Sequence, residues 1–357
     1  MIEPILWFIA GLIVLIAGAE FLVYSATRIA EYFGIPKLII ALTIVAFGTS
    51  APELAVSIKA GIDGQTDLML GNIVGSNISN ILLILGLSAL IIPLKVNSNL
   101  IKIDVPFMIG ITFLMFLFAL NGSISFVECM ILSILLVLYM WFLASQSGKT
   151  EFTKSSKPKR NKPLLKSILL GAAGLAMLIF GARWLVNSAT IFAELAGVSE
   201  LVIGLTVVAF GTSLPEIATS LVAAFRGERD IAVGSIVGSN ILNILAVLGI
   251  SGLFIPGAIP VHESLLRFDM LILLAASIAC IPIFFTGHKI SRWEGALFFS
   301  FYIAYVVYLF LASADHQILD IFSTTVMMFV LPIVTITILA IAAREWKRRR
   351  RFKDFFK

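Results

Sequence analysis

Charge is scarce in this chain. Lys, Arg, Asp and Glu make up 13% of its 357 residues, while 59% are hydrophobic. No water-soluble fold needs that much apolar surface, and long uncharged runs recur from end to end, which indicates an integral α-helical membrane protein. The runs are too long for barrel strands and lack strict alternation, which excludes a transmembrane barrel. Cysteine is nearly missing. Cys129 and Cys280 both lie in apolar runs, so they build no disulfide framework and report no redox compartment. The three histidines, His262, His288 and His316, fall in expected loops, which argues against zinc or another soft metal. A phosphate loop and a nucleophile with an attendant base are also lacking, so neither an enzyme nor a cofactor is expected. The net charge of +5 does not point to nucleic acid, because the basic residues gather at segment ends. That is the pattern of membrane orientation.

Eleven candidate spans are present, near 4–25, 36–62, 70–92, 103–120, 124–145, 164–188, 199–226, 232–255, 267–286, 291–312 and 319–343. Each is long enough to cross about 30 Å of hydrocarbon, the fourth only marginally. The first run has no basic leader and no small-residue cleavage pattern, and its counterpart returns later inside the chain, so it reads as a retained helix. Seven basic residues lie between Ser145 and Lys166, and eight more follow Ala343. With both segments in the cytoplasm, the N-terminus is outside and the C-terminus inside. That arrangement puts 23 of 26 basic residues on the cytoplasmic side and leaves Lys59, Arg183 and Arg267 near the outer face. The tail "WKRRRRFKDFFK" is read as an orientation anchor, with docking to anionic lipid as the alternative. Apart from the bilayer itself, no feature calls for a partner macromolecule.

The chain repeats itself. Residue n aligned with residue n+163 gives 30 identities in 51 ungapped positions, Leu38–Ser88 against Leu201–Ser251. Upstream, "GAEFLVYSAT" from Gly18 matches "GARWLVNSAT" from Gly181. One copy holds five spans, an odd number, so the second copy enters the bilayer upside down. The expected fold is therefore all-α and polytopic, with two inverted five-helix repeats and an eleventh C-terminal helix outside them. The expected units are residues 1–145, a basic linker 146–163, residues 164–312, and 313–357. Inverted repeats characterise many secondary transporters, whose substrate sits near the midplane where the copies meet.

The repeated words carry polar chemistry into apolar spans. "VAFGTSAPEL" and "VAFGTSLPEI" place Glu53 and Glu216 near the middle of spans two and seven. A central charge costs roughly 2.5–3.5 kcal/mol on insertion scales, so protonation or a bound cation must offset it. A neutral acid serving as a structural hydrogen-bond donor would have to be invoked twice. Thr49 and Ser50 share a helical face with Glu53, as Thr212 and Ser213 do with Glu216. Pro52 and Pro215 cannot donate to the preceding turn, so each helix should break there and turn main-chain oxygens inward. The second pair of words, "GNIVGSNISN" and "GSIVGSNILN", sets Ser76 with Asn80, and Ser239 with Asn243, four residues apart on one face. These four are read as further oxygen donors, with interhelical hydrogen bonding as the alternative. Gly71, Gly75, Gly234 and Gly238 read as close-packing positions. A cage made only of hard oxygens suits Ca²⁺ or Na⁺.

In this order and at this distance the words resemble the alpha repeats of the sodium/calcium exchanger family, within the cation/calcium antiporter group. The resemblance covers spans one to ten and fits a prokaryotic-type member in the cell membrane. It implies a ten-helix core with four central ion sites, and Na⁺ exchanged for Ca²⁺ by alternating access. The implied ligands are Thr49, Ser50, Glu53, Ser76 and Asn80 in the first half, with Thr212, Ser213, Glu216, Ser239 and Asn243 in the second. Main-chain oxygens of Ala46 and Ala209 join them. Spans one and six would slide over this core. Asparagine at 243, where many prokaryotic and potassium-dependent members carry aspartate, implies no potassium requirement. A proton/calcium antiporter and a passive cation channel remain the alternatives.

Overall fold

A computed structural model describes residues 2–147, 164–195 and 209–313, together with Ala343. A hydrocarbon layer offers backbone groups no water, so helices that satisfy their own N–H and C=O groups are the economical way across it. The described chain is built almost wholly of them. They are α1 (Ile2–Phe33), α2 (Lys37–Thr49), α3 (Ala51–Ile62), α4 (Thr66–Ile91), α5 (Leu100–Ala119) and α6 (Phe126–Ser147) in the first half. The second half holds α7 (Leu164–Leu195), α8 (Ala209–Thr212), α9 (Leu214–Phe225), α10 (Arg229–Gly252), α11 (Leu265–Phe285) and α12 (Arg292–Ser313). Eight of these are long and apolar enough to span, or nine when α2 and α3 count as one bent crossing. The eleventh span up to residue 342, the linker at 148–163 and the basic tail lie outside the described residues.

Among the described residues, span boundaries agree with the hydropathy reading except at α1, which runs past residue 25 to Phe33, and at α7, which runs past residue 188 to Leu195. Arg28 explains the extension of α1. It lies 5.0 Å over the Tyr24 ring and 3.1 Å from Glu31, local contacts that carry the helix into polar surroundings. Within α4 and α10 the helix widens into π turns, Ser79–Leu85 and Asn243–Leu248. Three further π turns are described: Ala41–Val45 lies within α2, and Leu100–Asp104 and Leu265–Asp269 open α5 and α11.

The two-fold relation is visible in the contacts. Gly11 packs on Gly181 and Gly18 on Gly174, so α1 and α7 run antiparallel. Adding 163 turns Gly11 into Gly174 and Gly18 into Gly181, which makes the second contact the image of the first. Four two-residue strands behave in the same way. β1 (Leu94–Lys95) and β3 (Ile259–Pro260) follow equivalent helices, and so do β2 (Ser123–Ile124) and β4 (Lys289–Ile290). β1 pairs with β4 and β2 with β3, both antiparallel. Each exchange joins unlike loops of opposite halves, as an axis in the membrane plane requires. The two pairings lie at opposite ends of α5.

Layering places the site. The hydrophobic windows of α4 and α10 are 83% and 100% buried inside the protein, against 17–44% for the outer spans. Lipid-facing positions such as Val137, Trp141 and Leu165 are apolar and exposed. Helices do not associate in lipid by hiding apolar surface, so close approach of small residues takes over. A Cβ on Gly238 would stand 2.8 Å from Leu42 Cα, and one on Gly234 would stand 2.9 Å from Leu38 Cδ1. The packing role expected for these two glycines is met. The equivalent contacts of Gly71 and Gly75 would involve residues 201–208, outside the described set.

Candidate ion-binding site

The site grows out of two helix breaks. Ser50 (φ −83°, ψ 5°) separates α2 from α3, and the two helices meet at 46°. Ser213 (φ −86°, ψ 0°) separates α8 from α9 in the same way. Pro52 and Pro215 stand at the start of the new helices rather than inside continuous ones. Their missing N–H groups are there among the orphans of any first turn, so the break costs little. Glu53 and Glu216 fall in those first turns. A helix N-terminus carries partial positive charge, which favours a carboxylate where no lysine or arginine is at hand.

Both carboxylates are enclosed, at 1% and 4% exposure. They are near enough to repel one another, and Thr49 and Ser50 of the first half face Glu216 across the repeat boundary. Thr49 Oγ1 lies 3.5 Å from Ser239 Oγ, another link between the halves. The Thr49 hydroxyl also donates to the carbonyls of Val45 and Ala46, at 3.2 and 3.3 Å. The Ala46 carbonyl accepts from Ser50 N–H as well, at 3.0 Å. Ser50, Ser76, Ser213 and Ser239 are buried, and Thr212 is half-buried at the end of α8. Ala209 begins α8.

Asn80 and Asn243 sit at the π turns of α4 and α10, and each reaches into the opposite half. Asn80 Nδ2 donates to Asn240 Oδ1 at 2.9 Å, and Asn243 Nδ2 donates to Asn77 Oδ1 at 3.3 Å. These two bonds are images of each other under the shift of 163. An amide that commits its N–H to a neighbour leaves its carbonyl oxygen for the interior. Among the described residues, Asn80 Oδ1 and Asn243 Oδ1 are both buried with no hydrogen-bond partner. So are Ser50 Oγ, Ser213 Oγ, Glu53 Oε2 and Glu216 Oε2. Unpartnered buried polar atoms are rare and costly in a settled fold. Other buried side-chain atoms also lack a partner, among them Ser25 Oγ, Ser88 Oγ and Asn77 Nδ2, but these six oxygens form three symmetric pairs on the repeated words.

Three features escape a reading of motifs alone. Asn77 and Asn240 lie inside the words already noticed but act on the other copy, which spacing within one helix cannot reveal. Asn72 donates to the Glu53 carbonyl at 3.3 Å and to Ser57 Oγ at 3.0 Å, fastening α3 to α4 behind the carboxylate. Its counterpart is Ser235, and that break in the repeat was its signal. Ser57 and Ser220, one turn beyond the glutamates, are both buried. The histidines stay outside the cluster. His262 is exposed in a loop, His288 occupies a turn, and His316 lies outside the described residues. Among the described residues, no three His, Cys, Asp or Glu side chains gather as a metal cluster. Cys129 and Cys280 are buried in α6 and α11.

Two inverted halves that enclose paired carboxylates and neutral oxygens at the centre of a helical bundle have the architecture of an inverted-repeat membrane transporter. The family model for the sodium/calcium exchanger protein matches residues 3–145 and 166–311. The chain belongs to this sodium/calcium exchanger family. It is 36% identical to the sodium/calcium exchanger MaX1 of Methanosarcina acetivorans over 339 residues, covering 84% of this chain and 96% of that one. It is 39% identical to the inner membrane protein YrbG of Escherichia coli over 259 residues, 70% of this chain and 80% of the relative. Among solved structures it is similar to the sodium-calcium exchanger NCX_Mj soaked with zero Na⁺ and Ca²⁺. The TM-score is 0.76 at 33% identity, covering 86% of this chain and 99% of that one.

Proposed function

We propose that this protein exchanges Na⁺ for Ca²⁺ across the cell membrane by alternating access, without a potassium requirement. The ligands in this reading are Ala46, Thr49, Ser50, Glu53, Ser76 and Asn80, with Ala209, Thr212, Ser213, Glu216, Ser239 and Asn243. The observation that carries it is the set of six symmetry-paired buried oxygens without partners among the described residues, two of them on the carboxylates. Hard oxygen donors of this kind suit Ca²⁺ and Na⁺. Two ionised carboxylates are neutralised by one Ca²⁺ or by two Na⁺, so the ions compete for the same oxygens. An occupied site screens the repulsion between Glu53 and Glu216, and an empty one does not. Coupling follows from that difference, because the gate moves readily only when the charge is balanced.

The orientation places the N-terminus outside and the C-terminus in the cytoplasm, with residues 1–145 and 164–312 as the inverted halves. The strand pairings favour this alternation. β1 and β4 belong to loops assigned to the cytoplasm, and β2 and β3 to loops assigned to the outside. Asparagine at both 80 and 243 leaves two carboxylates at the centre, which favours the potassium-independent mode. The test is ⁴⁵Ca²⁺ uptake into sealed liposomes under imposed sodium, potassium and proton gradients in turn. Uptake driven by outward sodium alone supports the reading. Uptake driven by protons without sodium replaces it with proton/calcium exchange, and uptake that needs no counter-ion replaces it with a channel.

A further inference from the structure

Glu20 lies inside α1, within an apolar segment, and the central site does not use it. Its carboxylate is paired with the guanidinium of Arg226, which closes the C-terminal end of α9. Both side chains are half-exposed, at 35% and 43%. The shift of 163 maps Glu20 onto Arg183 and Arg226 onto Asp63. Both signs reverse, so the image pair is again complementary. This is not a general property of the ion pairs. Lys37 meets Glu228 at 2.7 Å, but their images are Glu200 and Gln65, which carry no such attraction.

The image pair is not made in this structure. Arg183 is exposed and has no ion-pair partner among the described residues. Asp63 is held by Lys59, one turn away, at 2.7 Å and largely in solvent. Such surface pairs are weak and easily exchanged. The packing is lopsided in the same sense. α1 lies along α9, whereas the equivalent contact of α7 with α3 is marginal. A molecule with near-symmetric halves and an asymmetric contact has a second arrangement open to it, in which the halves trade roles. The glycine contacts between α1 and α7 tie those helices into one body, and rigid movement of such a body is the usual form of alternating access.

We infer that Glu20–Arg226 and Arg183–Asp63 are two mutually exclusive ionic latches, of reversed polarity and at opposite faces, that hold the α1–α7 pair at either end of its travel. The present structure has the first latch closed. Moving the pair toward its other position parts Glu20 from Arg226 and brings Arg183 to Asp63, which leaves Lys59 for it. The inference rests on the alternating-access reading but not on which ions are exchanged.

The test uses the full chain in membrane vesicles. Its two native cysteines are buried, so short bifunctional thiol reagents report only introduced pairs. Glu20→Cys with Arg226→Cys and Asp63→Cys with Arg183→Cys are expected to cross-link in separate preparations. Each cross-link should stop exchange reversibly, and when all four substitutions are combined no molecule should carry both links. Arg183→Asp alone is expected to shift the balance of end states about two- to fivefold, the range of a half-exposed ion pair, and adding Asp63→Arg should restore it. The latch is overturned if Asp63→Cys with Arg183→Cys never links while the parent exchanges ions normally. It is also overturned if the charge-swapped double variant fares no better than the singles. If both links form but the parent shows no sodium-driven Ca²⁺ flux, the latch stands and the ion assignment fails.

Discussion

Asn80 and Asn240 are 160 positions apart in sequence, yet the amide of one donates to the carbonyl of the other at 2.9 Å in the centre of the bundle. The bond takes up the Nδ2 end of the Asn80 amide and leaves Oδ1 as the end without a partner among the described residues. Asn240 is therefore a positioning residue in the proposed site, and Asn77 is its image toward Asn243.

Removing the acceptor tests this. Asn240→Ala leaves the Asn80 amide without its buried partner and free to turn its N–H toward a bound cation. Losing a buried hydrogen bond of this kind costs about 1–3 kcal/mol, or about five- to 150-fold in binding. Apparent Ca²⁺ affinity should fall within that range, read from the concentration dependence of ⁴⁵Ca²⁺ uptake. Asn240→Asp keeps an oxygen acceptor and should retain most of the affinity. Equal losses in the two variants would show that orientation is not what Asn240 supplies.

The two carboxylates call for an opposite pair of effects. Glu53→Gln and Glu216→Gln each leave a single negative charge against a divalent ion in a poorly solvated interior. Breaking a buried charge pairing costs about 3–5 kcal/mol, so Ca²⁺ transport should drop by more than about a hundredfold. The same variants spare the ion-free protein the cost of an enclosed charge. Thermal unfolding in a chelator should therefore move to higher temperature, while the stabilisation by added Ca²⁺ disappears. A variant that loses stability with the chelator and keeps sodium-driven flux would remove these residues from the site.

Some of this was legible in the sequence for plain physical reasons. Apolar run length fixes where a helix can cross, and the crossings fall close to where hydropathy puts them. Pro52 and Pro215 announce the breaks at Ser50 and Ser213, because a residue without an N–H starts a helix more easily than it continues one. The odd number of spans per copy implies inversion, and the exchanged strand pairs bear it out. The π turns at Ser79–Leu85 and Asn243–Leu248 were hidden, since one extra residue per turn leaves no pattern in composition. The Asn80–Asn240 bond and the Glu20–Arg226 pair were hidden too. Their partners lie in opposite halves, and periodicity within a helix says nothing of what faces it across the bundle.

Asn243→Asp probes the basis of ion choice. It would add a third carboxylate at the centre and replace the Nδ2 that now donates to Asn77 Oδ1 with an oxygen. The extra charge needs another cation to balance it. Ca²⁺ release should acquire a new dependence on sodium or potassium concentration, measurable by varying each in turn outside calcium-loaded vesicles. An unchanged dependence on both ions would mean that position 243 does not set the potassium requirement.

The glycine seam between α1 and α7 separates binding from movement. A Cβ at position 18 would stand 2.8 Å from the Gly174 carbonyl oxygen, and one at position 174 would stand 2.8 Å from the Gly18 carbonyl oxygen. Gly18→Val must push the helices apart, an overpacking cost of about 1–3 kcal/mol. The central oxygens belong to other helices, so equilibrium Ca²⁺ binding should stay near the parent value while the exchange rate falls severalfold. Gly110→Ala is the control, because the added methyl meets nothing within 4 Å among the described residues and a helical Gly→Ala change is neutral or mildly stabilising. Stopped-flow flux and isothermal titration on the same preparations compare the two quantities. If Gly18→Val weakens binding as much as it slows exchange, the seam maintains the site itself, and α1 with α7 is not a separate moving body.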